Sequence, residues 1–186
     1  MKELSLNILD IAENSVRANA TNVWILLNET ENDLTITIRD DGCGMSKEFL
    51  AKVTDPFSTT RTTRKVGLGI PFFKMEAEQT GGWLTIESSQ DSETHGTTTK
   101  AFFCKNSIDY IPLGDLVETI CTLIMGAPAI DFIFEHKYPG GETGLSTKDM
   151  REILGEEVPL SNPDVIAWIR ESLRESYSDN QYDANK

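Results

Sequence analysis

One short stretch restricts the fold more than any other. Leu34-Thr35-Ile36-Thr37-Ile38-Arg39 alternates apolar and polar residues, then runs straight into Asp40-Asp41-Gly42-Cys43-Gly44-Met45. Alternation with a period of two marks a strand with one buried face. Asp40 keeps the parity of Leu34, Ile36 and Ile38, so its carboxylate is directed to the buried side. A buried carboxylate must find donors, or its desolvation goes uncompensated. The exocyclic amino group of an adenine is one suitable donor, and the two glycines let backbone approach a flat ring closely. A tight turn capped by an aspartate fits the same residues.

The flanking pattern gives this strand a setting. Residues 5–19 read as an amphipathic helix, with Ile8, Leu9, Ala12 and Val16 in one apolar arc and Asp10, Asn14 and Arg17 on the far side. Residues 22–28 form a hairpin with 34–39. A short helix is expected after Ser46, the hydroxyl serving as N-cap. Residues 54–66, rich in Thr, Ser, Arg and Pro, read as a loop. A second long helix is expected over 71–80, stopped by Gly81-Gly82, and strands over 83–88 and 97–104. The sum is an α+β sandwich, a helical layer on an antiparallel sheet.

Beyond Asp109 the texture changes. Residues 113–125 look helical, 130–136 form a strand, and Tyr138-Pro139-Gly140-Gly141 a turn. Residues 147–154 and 162–176 read as helices with Thr147 and Asn162 as N-caps. The final ten residues, 177–186, are polar and expected to fray. The division is therefore 1–110 for the first domain and 111–186 for an acidic extension, helical with one strand.

Charge narrows the partners. The net charge is −13. Residues 1–110 carry 11 Lys/Arg against 16 Asp/Glu, a net of −5, and residues 111–186 carry 6 against 14, a net of −8. Such a chain repels phosphate backbones, which argues against nucleic-acid binding. No apolar run is long enough to span a bilayer. The N-terminal residues lack a signal peptide's apolar stretch. The three cysteines have no metal-ligand spacing, so a reduced, cytoplasmic chain is expected.

Two further patterns carry chemistry. Asp10 and Asn14, four apart, project from one helix face, and Arg17 joins them one turn later. Hard oxygens beside a guanidinium suit Mg²⁺ and phosphate, though a solvated helix face reads the same. Lys65-Val66-Gly67-Leu68-Gly69-Ile70-Pro71 leads into a helix, where exposed N–H groups and the positive dipole end can cradle an anion. The spacing is not that of a Walker A loop.

The order of these pieces matters more than any one of them. D-x-x-x-N, D-x-G-x-G, P-F-x-T-T-R, G-x-G-x-P and the pair Gly96-Thr97 fall within one hundred residues. The series resembles the N, G1, F, G2 and final G-T boxes of GHKL ATPases, and its loop looks most like that of histidine kinases. The stretch around Glu13-Asn14-Ser15 is also similar to the mismatch-repair branch. The resemblance covers about residues 3–108 and implies the two-layer α/β sandwich known as the Bergerat ATP-binding fold.

It also implies roles. Asn14 would coordinate Mg²⁺, and Asp10 would stand where the family usually has a catalytic glutamate. Asp40 would accept from adenine, with Gly42, Gly44 and Met45 shaping its pocket and Thr97 completing the contact. Arg17 would meet phosphate. Thr59, Thr60, Arg61 and Lys65 would form a mobile ATP lid, with Phe57 as its apolar anchor, and Gly67 and Gly69 would cradle phosphates. Histidine kinases carry a phosphoacceptor histidine on a helical hairpin ahead of this domain. With the first box almost at Met1, no such hairpin is expected here, and neither His95 nor His136 is expected to serve. The expected function is an ATPase or kinase acting on a separate protein in trans, as small anti-sigma-factor kinases do. The competing expectation is an ATP-gated interaction switch without phosphoryl transfer.

Overall fold

The computed structural model describes residues 3–53, 69–155, 157–180 and 182. Helix α1 (Leu4–Arg17) buries Leu4, Ile8, Ile11 and Ala12 against the sheet. Its N-cap residue, Glu3, makes no capping hydrogen bond. Instead the N–H groups of Leu4 and Ser5 donate to the carbonyls of Pro112 and Leu113, at 3.0 and 2.8 Å. Distant chain thus satisfies donors that a helix start leaves open. After Arg17 the chain reverses through Asn19, whose φ of 56° is one that asparagine tolerates.

Strands β1 (Asn22–Glu29) and β2 (Asp33–Asp40) follow as a hairpin, then α2 (Lys47–Val53), α3 (Gly69–Gln79), β3 (Trp83–Ser89) and β4 (Gly96–Cys104). The chain continues through α4 (Leu116–Gly126), β5 (Asp131–Tyr138), β6 (Gly141–Ser146), α5 (Thr147–Leu154) and α6 (Pro163–Asp179). One six-stranded sheet results, in the order β3-β4-β2-β1-β5-β6. Every pairing is antiparallel except β1 with β5. The register stacks Ile25 beside Ile38 and Phe134, and Ile36 beside Leu27 and Ala101. These residues share the buried face, and their alternation is the one visible in the sequence. The α+β arrangement of helices on a sheet is the one expected.

The later residues depart from expectation in four places. A second strand, β6, completes a hairpin with β5 across Pro139-Gly140, where Gly140 has a φ of 98°. Pro followed by a glycine at positive φ is the type II pattern. Gly141 and Gly144 dilute the strand signal of β6, which is why its sequence looks like loop. Helix α4 starts at Leu116, not 113, because Asp115 caps it by accepting from the Glu118 N–H at 2.9 Å. Ser146, not Thr147, caps α5 by accepting from the Asp149 N–H at 3.3 Å. The Thr147 hydroxyl instead accepts from the Phe132 N–H at 2.8 Å, across the sheet edge.

The fourth departure is the end of the chain. Tyr177 and Tyr182 do not fray; they pack on a buried cluster around His136 and Glu29. His136 is wholly buried on β5. Its Nε2 lies 3.1 Å from Glu29 Oε2 and its Nδ1 lies 2.9 Å from the Tyr177 hydroxyl. A carboxylate only accepts, so Nε2 carries the proton shared with Glu29. Both ring nitrogens are occupied, which leaves neither for a phosphoryl group.

Candidate functional site

Strand β2 delivers Asp40 to the end of the sheet with its side chain inward, 7% exposed. Three donors meet it there. Asp40 Oδ1 accepts from the N–H groups of Gly42 and Thr97, at 2.9 and 3.2 Å. Oδ2 accepts from the Ser15 hydroxyl at 2.6 Å. One carboxylate therefore joins α1, the β2 turn and the start of β4. Asp41, the next residue, points the other way and holds the turn itself. It accepts from the backbone and side chains of Thr21 and Asn22 at 2.7–2.8 Å. Partial burial would raise its pKa, but the hydrogen bonds from Asn22 and Thr21 outweigh that and bring it down to about 2.

The glycines of the turn answer a crowding that the sequence does not show. A Cβ on Gly44, at φ 67°, would lie 1.9 Å from the Ser89 carbonyl oxygen. A Cβ on Gly42 would meet Ala18 at 2.8 Å. The close approach is therefore to the protein's own backbone and to α1. Ser88 ties the turn to the strands: its hydroxyl accepts from the Met45 N–H at 2.8 Å and lies 2.9 Å from the Thr97 hydroxyl. His95 Nδ1 adds a contact to the Gly42 carbonyl at 2.9 Å.

Behind this turn lies a cavity of about 170 Å³. Asn14, Asp40, Gly44, Met45 and Thr97, singled out in the sequence, all line it. Its walls are apolar: Ile11, Ile38, Phe49, Val53 and Ile70 contribute. Ser15, Thr99 and Phe49 escaped the sequence reading. Ser15 and Thr99 had a signal, since Ser15 follows Asn14 and Thr99 shares the parity of Thr97 and Ala101. Phe49, on α2, had none.

Other candidates lie around the cavity. Asp10 is exposed and does not line the cavity; it stands beside α3, where a Cβ on Gly69 would come within 3.3 Å of its carboxylate. Gly69 opens α3, so the acid stands at that helix's N-terminus. Arg17 does not reach the cavity. It pairs with Glu13 at 2.7 Å and donates to Asn14 Oδ1 at 3.2 Å. Phe57, Thr59, Thr60, Arg61, Lys65 and Gly67 lie outside the described residues. An open groove of about 720 Å³ runs along β5 and β6, but charges of both signs line it and no motif residue reaches it.

A family model described as histidine kinase-, DNA gyrase B- and HSP90-like ATPase matches residues 2–107. The chain belongs to that ATPase family. Its similarity to the C4-dicarboxylate transport sensor protein DctB of Pseudomonas aeruginosa is 36% identity over 85 residues, 45% of this chain and 13% of that protein. The sensor histidine kinase CpxA of Escherichia coli is 29% identical over 85 residues, 43% of this chain and 19% of that protein. The chain thus spans a small part of the curated relatives it matches. Among solved structures, the MutL ATPase domain of Aquifex aeolicus complexed with ADP superposes with a TM-score of 0.55 at 14% identity, covering 93% of this chain and 89% of that one. This shared fold reaches beyond the family match into α4, β5 and β6. Among the described residues no helix is long and apolar enough to cross a membrane.

Proposed function

We propose that the cavity receives the adenine of ATP, and that the protein hydrolyses ATP or passes its γ-phosphoryl group to a separate protein. The observation that carries this reading is the valence of Asp40. A carboxylate has roughly four acceptor positions. Three are filled by Gly42, Thr97 and Ser15, and the cavity beside Asp40 leaves room for one more donor. Apolar walls on either side suit a flat ring. Pockets for whole drug-sized ligands run to about 300–1,000 Å³. This smaller one fits a base and leaves the phosphates outside, toward Asn14 and the N-terminus of α3.

The residues at that end fit Mg²⁺ with phosphate. Asn14 Oδ1 and the exposed Asp10 carboxylate are hard oxygen donors, and among the described residues the Asn14 side chain is engaged by a 3.2 Å bond from Arg17. When bound, the metal would neutralise phosphate charge. Asn14 would orient it, Asp10 would accept the proton of the attacking group, and the α3 N–H groups would steady the phosphates. Thr59, Thr60, Arg61, Lys65 and Gly67, outside the described residues, would supply hydroxyl, cationic and backbone donors to them. Leu6 on α1, with Phe72 and Met75 on α3, is 41–44% exposed on the two helices that frame Asp10. These apolar side chains support a protein partner there. Three free thiols and a net charge of −13 fit a cytoplasmic protein that does not bind nucleic acid.

Asp40→Asn tests the site. The amide cannot accept as the carboxylate does and sets its own N–H groups against those of Gly42 and Thr97, so ATP affinity should fall by about 100-fold. Calorimetric titration reads this directly, and wild-type affinity in the variant would remove the assignment. One observation favours a second reading, an ATP-gated interaction switch. Asp10 packs on Gly69, where a carboxylate can simply anchor the helix. Asp10→Asn separates the two, because loss of a general base lowers phosphate release by about 10²–10⁴-fold. A wild-type protein that binds ATP with neither phosphate release nor labelled partner is the switch.

A further inference from the structure

Helices α1 and α3 pack together, and most of what they bury is apolar: Leu4, Ile8, Ile11, Phe73 and Ala77. A polar pair is buried between them. Asn7 of α1 and Glu76 of α3 are 0% and 5% exposed, and the Asn7 Nδ2 donates to Glu76 Oε2. Asn7 Oδ1 has no hydrogen-bond partner among the described residues.

Asn7 is a costly side chain to bury there. Its unpaired amide oxygen carries a desolvation cost, and an apolar side chain of similar volume would fill the same space. What the pair adds is direction. Apolar contacts between helices tolerate sliding, whereas a hydrogen bond between two buried groups holds one register. That register bears on the site. Asn7 lies one turn before Asp10 on α1, and Glu76 lies two turns beyond Gly69 on α3. The helices also meet closely where Gly69 packs against Asp10.

We propose that Asn7 and Glu76 are a positioning pair that holds the first turn of α3 against Asp10, and so sets the binding of the triphosphate but not of the base. The inference rests on the nucleotide reading above. The base contacts do not depend on the pair. Asp40, Ser15 and Thr97 belong to β2, α1 and β4, and α3 lends the cavity only the apolar Ile70. The phosphate end does depend on it, because N–H groups at a helix start bind anions only where they point at them.

The test uses the full chain and two ligands, adenosine and ATP with Mg²⁺, titrated by calorimetry. In Asn7→Leu/Glu76→Met adenosine should bind as in the wild type. ATP affinity should fall by about 10- to 100-fold, the scale of a small misplacement at a reacting centre. Amide exchange at Gly69, Ile70 and Phe72 should quicken without any ligand. Glu76→Gln keeps an acceptor for the Asn7 amide and should restore ATP binding. Should the apolar pair fail to fold, Asn7→Ser removes the contact without bulk and should show the same selective loss. Unchanged ATP affinity, an equal loss of adenosine and ATP, or a Glu76→Gln variant as weak as the double variant would overturn the proposal. A wild-type protein that binds neither ligand would overturn the nucleotide reading itself. Exchange at Gly69, Ile70 and Phe72 would then still show whether the pair holds that turn.

Discussion

Cut after residue 110, the chain is expected to lose cooperative unfolding and nucleotide binding together. Strand β1 lies inside the sheet, paired from Asn22 to Asn28 with β5 residues 131–137. Removing β5 turns it into an open edge and uncovers Val23, Ile25 and Leu27, which pack beside Phe132 and Phe134. Helix α1 loses more. Its first two N–H groups lose the carbonyls of Pro112 and Leu113, at a cost of about 1 kcal/mol for a missing cap. Its outer flank loses α4, with Leu116, Val117, Ile120 and Ile124. Each such side chain contributes about 1.5–3 kcal/mol when buried. A handful of them equals the whole stability of an ordinary domain, about 5–15 kcal/mol. Because α1 also carries Asp10, Asn14 and Ser15, the site should fail with the fold. Circular dichroism melting of residues 1–110 beside the full chain makes the comparison. A fragment that melts sharply and binds ATP would show two independent domains, the division that composition suggests.

That contrast shows what a sequence of this kind reveals. Local periodicity placed α1, the β1–β2 hairpin and β4 within a residue or two, because each has one apolar stripe and one neighbour surface. It also turned Asp40 inward, since parity survives to the end of a strand. What it could not reach depends on residues far apart in the chain. Ser15 meets Asp40 across 25 positions, and Glu29 meets His136 across 107. Neither spacing leaves a local trace. Thr147 reads as the cap in sequence, and the role falls to Ser146 because the Thr147 hydroxyl is taken by the Phe132 N–H. The tyrosines near the C-terminus looked like a polar tail for the same reason. Their partners on β1 and β5 are brought to them only when the sheet closes.

Glu29→Ala should cost about 3–5 kcal/mol, the range for breaking a buried ion pair by removing one partner. Glu29 accepts from three groups at once: Lys105 Nζ at 2.5 Å, the Tyr182 hydroxyl at 2.6 Å and His136 Nε2 at 3.1 Å. Its loss strands all three, in a side-chain environment where His136 is wholly buried. Burial by itself would raise the carboxyl pKa, but the bonds from His136, Lys105 and Tyr182 reverse that and hold it down at about 2, against an ordinary 4.5. A depressed carboxyl stabilises the fold above its unfolded pKa, so this contribution is complete above about pH 4.5 and lost as pH falls through 2. Urea midpoints of the wild type should therefore drop across that window, and Glu29→Gln should flatten the drop, leaving the part due to Asp41 and the other lowered carboxyls such as Glu118. The tyrosines supply the alkaline counterpart. Burial raises the pKa of Tyr177, Tyr182 and Tyr110, with the nearby Glu29 charge adding to it in each. Here the sign is opposite: the stabilisation is present below the ordinary tyrosine pKa of 10 and is lost as pH rises past it. In an ultraviolet titration Tyr110, Tyr177 and Tyr182 should ionise only as the chain unfolds. Early ionisation of Tyr182, with Glu29→Ala no less stable than the wild type, would mean that the C-terminal residues rest on the sheet without fastening to it.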